Sequence, residues 1–137
     1  MPSLEEENPY AQTRILILED DRHVRIIVRR LLREIGFRTI LEGDNGIDGF
    51  RELLLARPDI VLCDIHMKPM GGMTFLRKLR SLGREQFSEL PVIFMTSDTQ
   101  SETVSEALDL RVDGYLTKPI SRAALKEKVD AVLFSGV

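Results

Sequence analysis

Cysteine is nearly absent. Cys63 is the one cysteine among 137 residues, so an intrachain disulfide is impossible and a reducing compartment is the natural setting. Long apolar runs are missing too. None approaches the roughly 18–20 residues of a membrane-spanning helix, and the opening MPSLEEENPYAQT is acidic with no apolar core, so it is expected to be neither a signal peptide nor an anchor. Positive charge is not in excess: 19 Lys and Arg stand against 22 Asp and Glu, a net −3. That balance gives no electrostatic reason to expect direct contact with nucleic acid. Neither a P-loop nor a glycine-rich dinucleotide turn occurs, which argues against a nucleotide enzyme. What remains suits one globular domain, with 43% hydrophobic residues to build a core and 30% charged residues to cover it. A cytoplasmic location with no membrane partner is expected.

Residues 1–13, rich in Glu and interrupted by two prolines, read as a flexible N-terminal extension, and 14–137 as the folded domain. RILIL at 14–18 is an aliphatic run of the kind found in a parallel strand buried on both faces. Val24, Ile27, Val28, Leu31, Leu32 and Ile35 then recur at helical spacing, with Gly36 where a left-handed cap belongs. Arg22, Arg25, Arg29, Arg30 and Arg33 fall on the other face, which reads as solvated. FRTIL predicts a second strand and 46–56 a second helix, with Asn45-Gly46 and Pro58 punctuating its ends. DIVLC at 59–63 is the most apolar strand. Residues 73–82 predict a helix, followed by a polar loop, the strand PVIFM, a fourth helix over 103–110, a short strand at 113–116 and a last helix capped by Ser121. Five strands alternating with five helices imply an α/β fold with a parallel sheet covered on both faces.

Ligands of such folds bind beyond the carboxyl ends of the strands. There the first strand ends in Glu19-Asp20-Asp21, the third in Asp64, the fourth in Thr96-Ser97, and the fifth runs into Lys118-Pro119. Asp21 is the natural helix N-cap, which leaves Glu19, Asp20 and Asp64 as carboxylates that repel one another unless a cation or proton intervenes. Mg²⁺ takes oxygen ligands of this kind, with Mn²⁺ as the alternative. Lys118 adds an ammonium and Thr96 a hydroxyl. Together these are the parts that stabilise a transferring phosphoryl group.

In ILILEDD, DIVLCDIHMKPMGG, PVIFMTS and GYLTKP, in that order and at those spacings, the chain resembles the receiver domain of two-component response regulators over residues 14–134. The resemblance implies a flavodoxin-like doubly wound sheet of order 2-1-3-4-5 and a cis Lys118–Pro119 bond. It implies Asp64 as phosphoacceptor, Asp20 as direct metal ligand, Glu19 acting mainly through water, and the backbone carbonyl of His66 on the metal. Thr96 and Lys118 match the hydroxyl and lysine that engage the phosphoryl group, Tyr115 the aromatic switch, and His66 and Asp98 the positions flanking the path of the hydrolytic water. The expected partners are a histidine kinase or histidine phosphotransferase as donor, and a target protein on the face of the fourth helix, fifth strand and fifth helix. Such a domain catalyses only its own phosphorylation and dephosphorylation, and with no residues left for an effector after about 134 it is expected to stand alone.

Some positions depart from the family pattern. Lys68 precedes Pro69 where the proline is usually one residue earlier, Gly71-Gly72 replaces an acidic-glycine pair, and Arg111 stands where a glycine normally ends the fourth helix. Two other readings compete. A phosphatase with an aspartyl nucleophile wants an acid two residues after it, where His66 stands, and a receiver-like module that has lost phosphorylation should lack one of the key residues, none of which is missing. His23 and His66 suggest no zinc site, and Cys63 reads as an inert core thiol.

Overall fold

A computed structural model describes residues 7–97 and 101–135, and at 101–103 the backbone alone. In chain order the elements are β1 (Arg14–Leu18), α1 (Arg22–Ile35), β2 (Thr39–Gly43), α2 (Gly46–Ala56), β3 (Ile60–Asp64), α3 (Gly72–Arg80), a one-turn helix at Glu85–Ser88, β4 (Val92–Thr96), α4 (Ser101–Asp109), β5 (Gly114–Thr117) and α5 (Arg122–Leu133). All strand pairs are parallel and the sheet order is β2-β1-β3-β4-β5, the flavodoxin-like order expected from the sequence.

Strand alternation builds both cores, because successive side chains point to opposite faces. Ile15, Ile17, Ile60, Leu62, Ile93 and Met95 meet Val28 and Leu32 of α1 and Leu125 and Val129 of α5. Leu16, Leu18, Val61, Cys63, Val92 and Phe94 meet Leu53 of α2, Phe75, Leu76 and Leu79 of α3, and Ala107 of α4. Both faces being covered, the central strands read as continuous apolar runs. Asp21, Asn45 and Ser121 cap α1, α2 and α5, their side-chain oxygens accepting first-turn N–H groups.

Three local expectations are corrected. The second strand starts at Thr39 rather than at Phe37, whose ring is buried in the α1–α5 core. The polar loop after α3 contains the helical turn Glu85–Ser88. The described end of the supposedly flexible extension is docked: Tyr10 is buried, its ring centroid is 4.9 Å from that of Phe37, and its hydroxyl donates to Asp130 Oδ1 at 2.5 Å. The Asn8 amide donates to the Gly36 carbonyl at 2.8 Å. Arg111 has φ of +58°, the left-handed region that favours glycine, so the residue changed while the backbone shape that glycine serves was kept.

Candidate functional site

The site lies at the switch point of the sheet, where the chain leaves β1 for β2 on one side and later adds β3 on the other. Register brings its members together. Leu18 is paired with Cys63, so the next residues on the two strands, Glu19 and Asp64, come side by side. Thr96 is paired with Thr117, and the following N–H, that of Lys118, donates to the Thr96 carbonyl at 2.9 Å. The Lys118–Pro119 bond is cis, as is Lys68–Pro69.

Glu19, Asp20 and Asp64 each offer a carboxylate oxygen within 4.8 Å of the others. Glu19 is fully buried, Asp64 nearly so at 5% exposure, and Asp20 is exposed. Lys118 Nζ bridges the two buried acids, 2.6 Å from Glu19 Oε1 and 3.3 Å from Asp64 Oδ2. Burial, then the neighbouring Asp64 carboxylate, push Glu19 up to about 7 from its ordinary 4.5, against the pull of Lys118. Burial also opposes the charge on Lys118, but its hydrogen bond to Glu19 and the adjacent carboxylates outweigh that and raise its pKa. Glu19 Oε2 is buried and has no hydrogen-bond partner among the described residues. A buried, unpaired carboxylate oxygen within an all-oxygen donor set fits a hard divalent cation. Burial raises the Cys63 thiol well above its usual value, which agrees with an inert core thiol.

The remaining sequence candidates fall around this centre. Thr96 is buried at the end of β4. His66 is exposed two residues past Asp64, and its backbone N–H points at Asp64 Oδ1 at 3.4 Å. Tyr115 is half-buried, edge-on to Phe94 at 5.8 Å, against the core on the α2–α4 face of the sheet. Asp98 lies outside the described residues. Gly71-Gly72 acquires a steric reason: a Cβ on Gly72 would sit 2.3 Å from the Asp64 carbonyl oxygen, and one on Gly71 2.8 Å from that of Ile65. Helix α3 therefore starts against the backbone of Asp64 and Ile65.

Sequence reasoning missed two arginines. Arg25 belongs to the face read as solvated, yet its side chain is only 18% exposed. It donates to the Glu19 carbonyl at 2.7 Å and to Asp44 Oδ1 at 2.5 Å, and pairs with Glu42 at 3.3 Å. It thereby ties the acidic turn after β1 to the end of β2. Arg29 pairs with Glu42 as well. Arg80, at the end of α3, donates to the carbonyls of Ser88, Leu90, Leu110 and Arg111 and to Asp113. Its partners lie 8 to 33 residues away in sequence, so no local pattern could reveal it.

Comparison with known proteins converges on one family. The profile described as the response regulator receiver domain matches residues 15–130. Chemotaxis protein CheY-3 of Vibrio cholerae is 36% identical over 119 residues, covering 87% of this chain and 90% of its own length. Chemotaxis protein CheY of Pseudomonas aeruginosa is 33% identical, covering 87% and 94%. The crystal structure of a signal receiver domain of a signal transduction histidine kinase from Syntrophus aciditrophicus superposes with a TM-score of 0.79 at 31% identity, covering 91% and 92%. The CheY4 structure of Vibrio cholerae has a TM-score of 0.81 at 24% identity, over 90% and 100%, and supports the fold alone.

Proposed function

The chain belongs to the response regulator receiver domain family, a family of two-component signalling, and from that premise we propose that it accepts a phosphoryl group on Asp64 in a Mg²⁺-dependent reaction. The observation that carries this reading is the meeting of three carboxylates and Lys118 around one half-buried point, with the Lys118 ammonium 3.3 Å from Asp64 Oδ2. The donor is a phosphohistidine on a kinase or phosphotransferase. An Asp64 oxygen attacks phosphorus, the new O–P bond forming as the N–P bond breaks and the imidazole leaves with that electron pair. Asp20, Asp64 and the His66 carbonyl would hold the Mg²⁺, with Glu19 acting mainly through water, and the ion would supply charge neutralisation at the phosphoryl oxygens.

Lys118 shifts its ammonium from the carboxylates to the new phosphoryl group, and the Thr96 hydroxyl donates to it. Their displacement at the ends of β4 and β5 biases Tyr115 and the α4–β5–α5 face toward the form that binds a target protein. His66 and Asp98, two residues past Asp64 and Thr96, flank the hydrolytic water and set the lifetime of the acyl phosphate.

Acetyl phosphate with Mg²⁺ is expected to add one phosphoryl group by intact-mass spectrometry, and Asp64→Asn to abolish it. Equal labelling of that variant would rule out the assignment. The same samples followed in time yield the decay rate, which His66→Ala is expected to change.

A further inference from the structure

Asp20 is the exposed member of the three carboxylates, and among the described residues its side chain has no hydrogen bond or ion pair of its own. Its direction is therefore set by its backbone, which runs between two fixed points. Ahead of it, the Glu19 N–H donates to the Gly43 carbonyl at 3.0 Å. Behind it, the Asp21 carboxylate caps α1 by accepting the N–H groups of His23 and Val24. What remains to be held is the peptide that joins Glu19 to Asp20, a rigid plane whose tilt swings the whole of Asp20.

Arg25 holds that plane. Helical side chains lean toward the N-terminus of their helix, so an arginine one turn into α1 reaches back over the end of β1. Its backbone N–H donates to the Asp21 carbonyl at 3.0 Å, while its Nη1 donates to the Glu19 carbonyl at 2.7 Å. One residue thus grips the chain on both sides of Asp20. The guanidinium is itself braced: Nη1 also donates to Asp44 Oδ1 at 2.5 Å, and Nε lies 3.3 Å from Glu42 Oε1. Arg29 holds the second oxygen of Glu42 at 2.9 Å, and the Asp44 N–H donates to Asp48 Oδ2 at 2.9 Å. Strand pairing does not need this tie, because the β1–β2 ladder already runs unbroken from Arg14 and Thr39 to Leu18 and Gly43. The tie acts on the turn that follows.

We propose that Arg25 is a positioning residue that aims the Asp20 carboxylate at a cation by fixing the Glu19–Asp20 peptide, an inference that rests on reading the acidic cluster as a Mg²⁺ site. Groups that orient a metal ligand from behind govern affinity without touching the metal. Removing Arg25 has two effects of opposite sign. Loss of a positive charge near the site favours a cation, whereas loss of the grip on the peptide frees Asp20 and disfavours one. The second is the larger, because Glu42 and Asp44 already offset the charge of Arg25. The fork matters as well as the charge: a lysine is a point charge and cannot donate in three fixed directions.

The test measures Mg²⁺ affinity of the full chain by calorimetric titration, below the melting range of every variant. Arg25→Ala is expected to raise Kd about tenfold, the low end of what loss of an orienting group costs. Arg25→Lys, which keeps the charge without the fork, is expected to fall with it. Val129→Ala, which opens a gap in the buried core between α1 and α5, is expected to lower the melting temperature and leave Kd unchanged. In metal-free protein the ¹⁵N heteronuclear NOE of the Asp20 amide is expected to drop in both Arg25 variants and to hold in Val129→Ala. Arg25→Ala binding Mg²⁺ as tightly as the parent or more tightly, full rescue by Arg25→Lys, an unchanged Asp20 NOE, or equal weakening in Val129→Ala would each overturn the inference. A parent that binds no Mg²⁺, or Asp20→Asn binding it as well as the parent, would instead overturn the reading of the site on which the inference rests.

Discussion

Glu19 shows how one side chain can carry opposite demands. Its backbone continues a strand ladder, with the N–H donating to the Gly43 carbonyl at 3.0 Å, so its carboxyl is drawn into a buried position beside Asp64. Burial and that neighbour raise it to about 7, above the ordinary 4.5. An acid that titrates higher when folded binds a proton on folding between those two values, so the stability it contributes is complete below about 4.5 and is lost as the pH rises through about 7. Lys118, whose pKa is raised above its usual 10.5, stays charged across that window and adds no slope there. Melting of metal-free protein is therefore expected to weaken from pH 4.5 to 7 more steeply in the parent than in Glu19→Gln. A slope as steep in the variant would show that Glu19 is ionised throughout. Arg25 and Arg80 make the companion point: a residue type that looks solvated by pattern becomes structural when distant carbonyls and carboxylates surround its guanidinium.

Among elements, α3 couples the loop that follows Asp64 to the rest of the α2–α4 side. Its N-terminal turn lies against Asp64 and Ile65 with no room for a methyl group, and Arg80 at its other end holds the carbonyls that close α4. Gly72→Ala places a Cβ 2.3 Å from a backbone oxygen, which cannot swing aside like a side chain. The start of α3 must move, at a cost of about 1–3 kcal/mol. Thermal melts are expected to fall accordingly, whereas Gly83→Ala, with nothing within 4 Å of the added carbon, should change stability by less than about 0.5 kcal/mol. Equal effects of the two substitutions would mean that close approach is not what glycine serves at Gly72. Arg111, with its positive φ, shows a second way to end an element: the turn that closes α4 is held by Arg80 through the carbonyls of Leu110 and Arg111 rather than by the conformational freedom of glycine.

For the whole molecule, the sheet concentrates like charge at one edge, and that edge is where stability and proposed function meet. Mg²⁺ bound only by the native state adds RT ln(1 + [L]/Kd), about 1–2 kcal/mol at ten to thirty times Kd. A rise in melting temperature with Mg²⁺ is expected in the parent and is expected to shrink in Asp20→Asn. Because the substitution also removes a repelling charge, the metal-free variant should melt no lower than the metal-free parent. An undiminished Mg²⁺ shift in the variant would exclude Asp20 as a ligand. The sequence by itself determined the order of strands and helices, the caps at Asp21 and Ser121 and the acids, hydroxyl and lysine at the strand ends. These follow from local periodicity and from motifs only a few residues long. Register and burial were decided only in three dimensions: that Lys118 bridges Glu19 and Asp64, that Tyr10 is docked, that Arg25 and Arg80 are clamps, and that Leu54 and Leu55 face outward. The physical reason is that hydrogen bonds and burial depend on which distant segments become neighbours, and a parallel sheet joins strands separated by whole helices.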